Sequence, residues 1–502
     1  MEPVRGAPTP PIAFSTPPAP RWPATPVAPR VLERLGGVCP LDADDATRAE
    51  AGRDWWPLAI GWALDGHVPA LPSAVVRPRD ATEVAAVLRI CNEAVVPVTA
   101  AGGRSGVCGA SIPAFGGIAL DLTAMTGVVD IDDRSLLVTA LPGTFGDVFE
   151  DALHTAGLTL GHWPQSIQLS TVGGWLACRS AGQYSTRYGK IEDMVVGLDA
   201  VLADGTTVST GGHAPRVAVG PDLTQLFVGS EGTLGVITSA TLRVHPAPVS
   251  ERRAAWGFAT FTDGLDACRR VLRRGARPAV LRLYDEAEAT RNFALDTTTL
   301  IVLDEGDPQL VDATVAIVDA ECAATPVSER LPDDVVARWL EHRNDVSALA
   351  ALVSRGVVLD TVEIAARWTA LPAIYEAATA ALRSDPAIVA ASAHESHAYP
   401  DGACLYFTWA ARLPDGAAIG GPEGDAIYRR AWDAVTGATL AHGGALSHHH
   451  GIGINRGRYL AEALGPGASA LLRTLKAGLD PVGILNPGKF GLPSPWGDPP
   501  WP

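Results

Sequence analysis

GSEGTLGVIT, residues 229–238, sets three glycines beside Ser230 and Thr233 and runs straight into an apolar stretch. Glycine has no Cβ and takes positive φ freely, so such a loop can approach a ligand closely with its amide N–H groups aimed at an anion. Three stretches upstream have the same character: AAGGRSGVCGAS (100–111), WPQSIQLSTVGGWLACRSAG (163–182) and STRYGKIED (185–193). One such loop reads as ordinary turn chemistry, whereas four beside strands in one region point to a bound pyrophosphate. None reads as GxGxxG opening a helix or as GxxxxGK[ST], so neither a dinucleotide fingerprint of that kind nor a P-loop is supported.

Around these loops the pattern is mixed. ATEVAAVLRICNEA (81–94) has helical spacing, VVPVTA (95–100) and GIALDLTAM (117–125) read as strands, and VVGLDAVLADGTTVST (195–210) breaks at Ala-Asp-Gly as a hairpin would. After Pro246 the layout changes to Ala-rich helical stretches interleaved with strands such as AVLRLYD and CLYFTWAARL. The expectation is an α+β chain in four parts: a disordered Pro-rich leader (1–30), a first domain (31–247), a second (248–465), and a C-terminal segment (466–502) returning to the first. The 502 residues are 47% hydrophobic, enough for a large core, and the net charge of −16 disfavours nucleic acid or anionic lipid as a partner. A small-molecule substrate is expected. Seven scattered cysteines without CxxC spacing signal neither a disulfide framework nor a metal cradle, and no run of about 18 apolar residues offers a membrane span. A cytoplasmic location is therefore expected.

LSTVGGWLACRSAG, YGKIEDMVVG, GPDLTQLFVGSEGTLGVIT, LRLYD, DGACLYF and GALSHHHGIG occur in this order. The segment from about residue 70 to 247 resembles the FAD-binding domain of the vanillyl-alcohol oxidase and p-cresol methylhydroxylase (PCMH) superfamily. Within it, the six blocks together resemble the alkyldihydroxyacetonephosphate (alkylglycerone-phosphate) synthase family and its bacterial relatives. The resemblance implies a PCMH-type FAD-binding domain of two subdomains and an α+β substrate domain of the FAD-linked oxidase C-terminal type. It implies FAD held by Thr99, Ala100, Ala101, Gly102, Gly103, Arg104 and Ser105, by Gln165, Ser166, Ser170 and Thr171, by Cys178, Arg179, Ser180 and Ala181, and by Glu231, Gly232, Thr233, Leu234, Gly235, Val236 and Ile237. FAD is expected to be non-covalent, because relatives that attach flavin through the first glycine loop need a histidine there and AAGGRSGVCGAS has none. Ser170 and Thr171 also suit a helix N-cap, and the two roles are compatible.

GALSHHHGIG (444–453) holds three consecutive histidines. In an extended segment His448 and His450 would share one face and His449 the other. A metal site, a packed polar cluster and acid–base work beside the flavin are the three readings. The resemblance favours the last, with no metal, and places His448, His449, His450 and Tyr406 of DGACLYF at the active site. Tyr406 is then the proton-transfer residue, its phenol pKa of about 10 lowered by imidazolium or arginine charge. Arg282 of LRLYD would hold an anionic substrate group or the flavin N1–C2 carbonyl region, the alternative being an ion pair with Asp285 or a nearby glutamate. One departure concerns the substrate: the family carries an arginine about fourteen residues before the glutamate of a (D/S)xxE segment, and with DTVE ending at Glu363 that position is Leu349, while Ile364 replaces a threonine.

The implied reaction is ether-lipid synthesis, in which a fatty alcohol replaces the acyl group of acyl-dihydroxyacetone phosphate through a flavin N5 adduct. The missing arginine keeps open an FAD-linked oxidase or dehydrogenase of a 2-hydroxy acid or alcohol, and a catalytically idle flavin-binding protein. A lipid-like substrate and a homodimer follow from the resemblance alone.

Overall fold

The computed structural model describes residues 12, 14, 17–212, 214–344 and 356–499; Leu349 lies outside the described residues. Its architecture is α+β.

The first part is built on two sheets. In the four-stranded sheet Ala74–Val76, Ile118–Asp121 and Val98–Ala101 pair in parallel, the short Leu41–Asp42 lying antiparallel at one edge. The helix Ala81–Ala94 carries the chain from Ala74–Val76 to Val98–Ala101, the two strands that flank Ile118–Asp121, and it starts where the Asp80 carboxylate accepts from the Glu83 amide. The first glycine loop hangs from the C-terminal end of Val98–Ala101, where parallel sheets usually place ligands. The second sheet is antiparallel, in the order Thr207–Gly211, Val195–Val201, Val236–Arg243, Leu137–Ala140, Val128–Asp132. Its first pair closes at Ala-Asp-Gly with Val201 opposite Thr207.

The second part is a seven-stranded antiparallel sheet: Ser328–Leu331, Ser250–Phe258, Thr298–Gly306, Val280–Tyr284, Ile388–Tyr399, Gly402–Arg412, Val357–Arg367. Side chains alternate across a strand, and this sheet uses both faces. Leu281, Leu283, Leu405, Phe407 and Trp409 enter a core with the helices Phe261–Arg273, Pro308–Ala323, Leu371–Ser384 and Pro422–Ala441. Arg282, Tyr284, Tyr406 and Thr408 project from the other face into a cavity shared with the glycine loops.

Residues 17–30 do not fit the expectation of a disordered leader. Ala19–Pro20 pairs in parallel with His67–Val68, Trp22 is buried edge-on against Trp62 at 5.9 Å, and Arg21 reaches Asp425 at 2.7 Å. Proline richness limits backbone donors, but it does not stop a buried tryptophan and an ion pair from fixing the segment. The C-terminal helix Gly457–Leu479 breaks at Gly465 and Pro466, and the chain then lies against the first part: the Val98 amide donates to the Ile484 carbonyl at 2.8 Å and Lys489 Nζ to the Ile112 carbonyl at 2.7 Å. All seven cysteines are free. Among the described residues no helix is long and apolar enough to cross a membrane.

Candidate active site

A cavity of about 800 Å³ lies between the glycine loops and the seven-stranded sheet. Its first wall holds residues 100–107, 164–166, 169–171 and 231–232. A Cβ on Gly103 would sit 1.8 Å from the Leu169 carbonyl oxygen, and one on Gly102 2.2 Å from Thr171 Oγ1, so these positions admit only glycine. The amides of residues 103–106 donate to no group among the described residues. Consecutive free amides at the end of a parallel strand form an anion cradle, which fits the pyrophosphate of FAD. Thr171 also caps the helix Val172–Cys178, its Oγ1 accepting from the Gly174 amide at 3.3 Å, and Ser170 Oγ accepts from Trp175 Nε1 at 2.7 Å.

The opposite wall carries proton-handling groups. Tyr406 Oη lies 2.5 Å from His450 Nε2 and 3.1 Å from His449 Nε2, and His449 Nδ1 lies 2.9 Å from His448 Nδ1. Burial depresses the pKa of all three histidines, to about 3, 3 and 4 for His448, His449 and His450, so each ring carries one proton at neutral pH. Two proton arrangements then satisfy every contact, one the reverse of the other. In the first, His448 donates to His449, His449 to Tyr406 and Tyr406 to His450. A proton entering at His448 Nε2 and another leaving from His450 Nδ1 converts the first into the second.

Glu363 organises this loop. Its carboxylate accepts from Ser447 Oγ (2.7 Å), the amides of His448 and His450 (the latter 2.9 Å) and Arg456 NH1 (2.8 Å). Burial alone would raise its pKa, but Arg456 and the histidines hold it well below the usual carboxylate range. Because one carboxylate takes the amides of residues 448 and 450, the loop bends around it instead of extending. The expected sharing of a face by His448 and His450 is therefore corrected: His449 and His450 both reach Tyr406, whereas His448 stacks on His397 (4.9 Å) and Tyr399 (5.4 Å). The expectation of a phenol with lowered pKa is also overturned. Burial and the Glu363 charge push Tyr406 well above its ordinary value, and the imidazoles beside it are neutral.

Of the residues expected at the cofactor, Thr99, Arg179, Thr233 and Leu234 do not line the cavity, nor does His448 of the histidine triplet. Thr99 is buried in its strand, and Leu234 packs in the core of the antiparallel sheet. Thr233 Oγ1 donates to the Ser230 carbonyl at 2.7 Å, and Arg179 turns outward to Glu192 at 3.3 Å. The other expected residues line it, Arg282 included. Arg282 makes no contact with Asp285, which caps the helix Glu286–Phe293; its NH2 donates instead to His394 Nε2 at 2.8 Å.

Glu231 enters through its side chain. Its carboxylate accepts from the Ile452 and Gly453 amides at 2.6 and 2.9 Å, tying the end of SHHHGIG to the glycine loop, and burial raises its pKa to about 7. Sequence reasoning missed this clamp, together with Arg456 and Glu288. Two acids, Asp360 and Glu363, inside the strand VVLDTVEIAA were the available signal. Ligand atoms of His397, His448 and His449 lie within 4.8 Å of one another, as do those of Glu363, Cys404 and His449. Each of these histidines is already engaged, His397 by Ser185 Oγ at 2.9 Å and the other two by the chain to Tyr406.

An anion cradle facing neutral proton carriers across one cavity defines an enzyme with a nucleotide cofactor. Residues 72–211 match the FAD binding domain, and residues 247–490 the C-terminal domain of FAD linked oxidases. An uncharacterized FAD-linked oxidoreductase of Escherichia coli, YgcU, is 33% identical over 435 residues, covering 83% of this chain and 88% of its own. Glycolate oxidase subunit GlcD of Bacillus subtilis is 28% identical over 467 residues, covering 90% and 94%. A solved alkyldihydroxyacetonephosphate synthase superposes with a TM-score of 0.76 at 25% identity, covering 96% of this chain and 90% of that one. The chain belongs to the FAD-linked oxidoreductases, and FAD is its cofactor.

Proposed function

We propose that the protein catalyses an alkylglycerone-phosphate synthase-like exchange, in which a fatty alcohol replaces the acyl group of acyl-dihydroxyacetone phosphate and a fatty acid leaves. The alcohol loses its O–H proton and the departing acyl group leaves as a carboxylate, so one proton is released and no net electrons move. The observation that carries this reading is the Tyr406–His449–His450 cluster on the cavity wall, 2.5 and 3.1 Å across its hydrogen bonds. Neutral His450 Nε2 accepts from Tyr406, whose oxygen is then poised to take the alcohol's proton, and the chain through His449 returns one. FAD supplies an electrophilic centre able to hold the carbon fragment during the exchange. Arg282, with an Nε left without a partner among the described residues, suits the substrate phosphate.

A second reading, oxidation of a 2-hydroxy acid or alcohol, is favoured by one observation: the same neutral imidazoles would serve as bases for a substrate hydroxyl. The likeness to a glycolate oxidase subunit supports it.

The holoprotein is mixed anaerobically with acyl-dihydroxyacetone phosphate or with glycolate and D-lactate. Bleaching by the acyl phosphate that a fatty alcohol reverses with no acceptor present, together with an ether product, is the expected result. Bleaching by a hydroxy acid that only oxygen or a dye reverses would replace the synthase reading with the oxidase one.

A further inference from the structure

Behind Arg282 lies a polar line that the reading above does not use. Glu288, fully buried on the helix Glu286–Phe293, places Oε2 2.6 Å from His394 Nδ1. Its other oxygen takes Ser392 Oγ at 3.2 Å and Arg291 NH2 at 3.1 Å. The far nitrogen of the same ring, His394 Nε2, is 2.8 Å from Arg282 NH2.

Two facts fix the protons on this line. Arginine has donors only, so the nitrogen it faces must offer a lone pair. A carboxylate accepts only, so the nitrogen facing Glu288 must carry the hydrogen. His394 is thus the Nδ1–H tautomer, and neutral. Burial lowers its pKa and the Arg282 charge adds to that, against the pull of Glu288.

The ring also works through its faces. It stacks on Tyr406 with centroids 4.9 Å apart and planes 9° from parallel, and on Tyr284 at 5.2 Å and 29°. One imidazole therefore touches both side chains assigned to substrate: Arg282 at its edge and Tyr406 on its face. With NH2 taken by His394, the Arg282 guanidinium, which lines the cavity, cannot rotate freely.

We infer that Glu288 and His394 are positioning residues for the reaction site: Glu288 fixes the tautomer of His394, which in turn holds the Arg282 guanidinium and buttresses the Tyr406 ring. The inference rests on reading this cavity as the reaction site, but its first test needs no substrate. Histidine residues of the holoprotein are labelled with ¹⁵N, and the ring nitrogens are read by long-range ¹H–¹⁵N NMR, the His394 signals being those absent from His394→Phe. The expected wild-type result is an Nδ1–H tautomer between pH 6 and 8. An Nε2–H tautomer or an imidazolium there overturns the inference without touching the proposed reaction.

Glu288→Gln can offer Nδ1 either a carbonyl oxygen or an N–H₂, so the Nδ1–H form should lose its exclusive hold, an Nε2–H fraction appearing where the Arg282 contact is given up. The exposed Glu286→Gln on the same helix should leave the tautomer unchanged. With whichever substrate turns over, Glu288→Gln and His394→Phe should raise KM about tenfold. His394→Phe keeps an aromatic face on Tyr406 and should retain kcat within about threefold. Unchanged KM in both variants would overturn the role, whatever the reaction proves to be.

Discussion

Replacing Glu363 by glutamine should show how strongly the histidine loop depends on one buried charge. The carboxylate is fully buried, as is its partner Arg456, and it collects four donors. Glutamine keeps the shape but removes the charge, leaves the Arg456 guanidinium without its counter-ion, and turns one N–H₂ toward an amide or hydroxyl that itself donates. Removing one partner of a buried pair costs about 3–5 kcal/mol, which at roughly 2–4 °C per kcal/mol for a unit of this size lowers Tm by roughly 6–20 °C. Thermal unfolding of the holoprotein, followed by circular dichroism and by flavin release, reads this directly. The double variant Glu363→Gln/Arg456→Met should recover part of the loss, because the orphaned cation is gone, yet stay inactive, because the loop that presents His449 and His450 has lost its anchor. A single variant melting within 2 °C of wild type, or a double variant no more stable than the single, would refute the argument that charge pairing holds the loop.

Other outcomes follow from the same geometry. Tyr406→Phe should fold normally and lose roughly 10²–10⁴-fold in kcat, read by stopped-flow flavin absorbance, because only the proton-carrying hydroxyl is removed. Gly103→Ala should purify with little flavin, measured as the 450 to 280 nm absorbance ratio, since its Cβ would lie 1.8 Å from the Leu169 carbonyl oxygen. Glu395 is fully buried with neither oxygen paired among the described residues, and burial raises its carboxyl pKa well above the ordinary 4.5. The folded state then holds a proton the unfolded chain has lost, so stability is full below about pH 4.5 and falls by about 1.4 kcal/mol per unit as pH rises toward the folded-state value. Glu395→Gln should flatten that decline, and melts at pH 5 and 8 that decline as steeply as wild type would contradict it.

Much of the architecture could be read from local pattern. The helix expected at 81–94 spans Ala81–Ala94, and the Ala-Asp-Gly hairpin closes where the turn residues said. Such features depend on neighbours a few residues apart, and composition reports them well. The glycine stretches were readable for a related reason: Gly102 and Gly103 are demanded by backbone contacts only glycine allows. What escaped was set by distant partners. Glu363 bends the segment carrying His448 and His450 from 85 and 87 residues away, which no assumption of strand alternation could foresee. The protonation of Tyr406 and its histidines was misjudged because burial outweighs the neighbouring charges, and burial is a property of the folded whole.

The Glu231 clamp bears on how such a chain can be recombined. Glu231 belongs to the glycine-rich stretch of the first part, yet its carboxylate is satisfied by amides 221 and 222 residues further on, and its own carbonyl accepts from Asn486 Nδ2 at 2.6 Å. A cofactor half grafted onto a foreign substrate half would bury an acid with no donors, and the reciprocal graft would leave SHHHGIG untethered. The two halves are therefore not interchangeable cassettes: a working chimaera must carry Glu231, residues 451–453 and Asn486 as one inherited set.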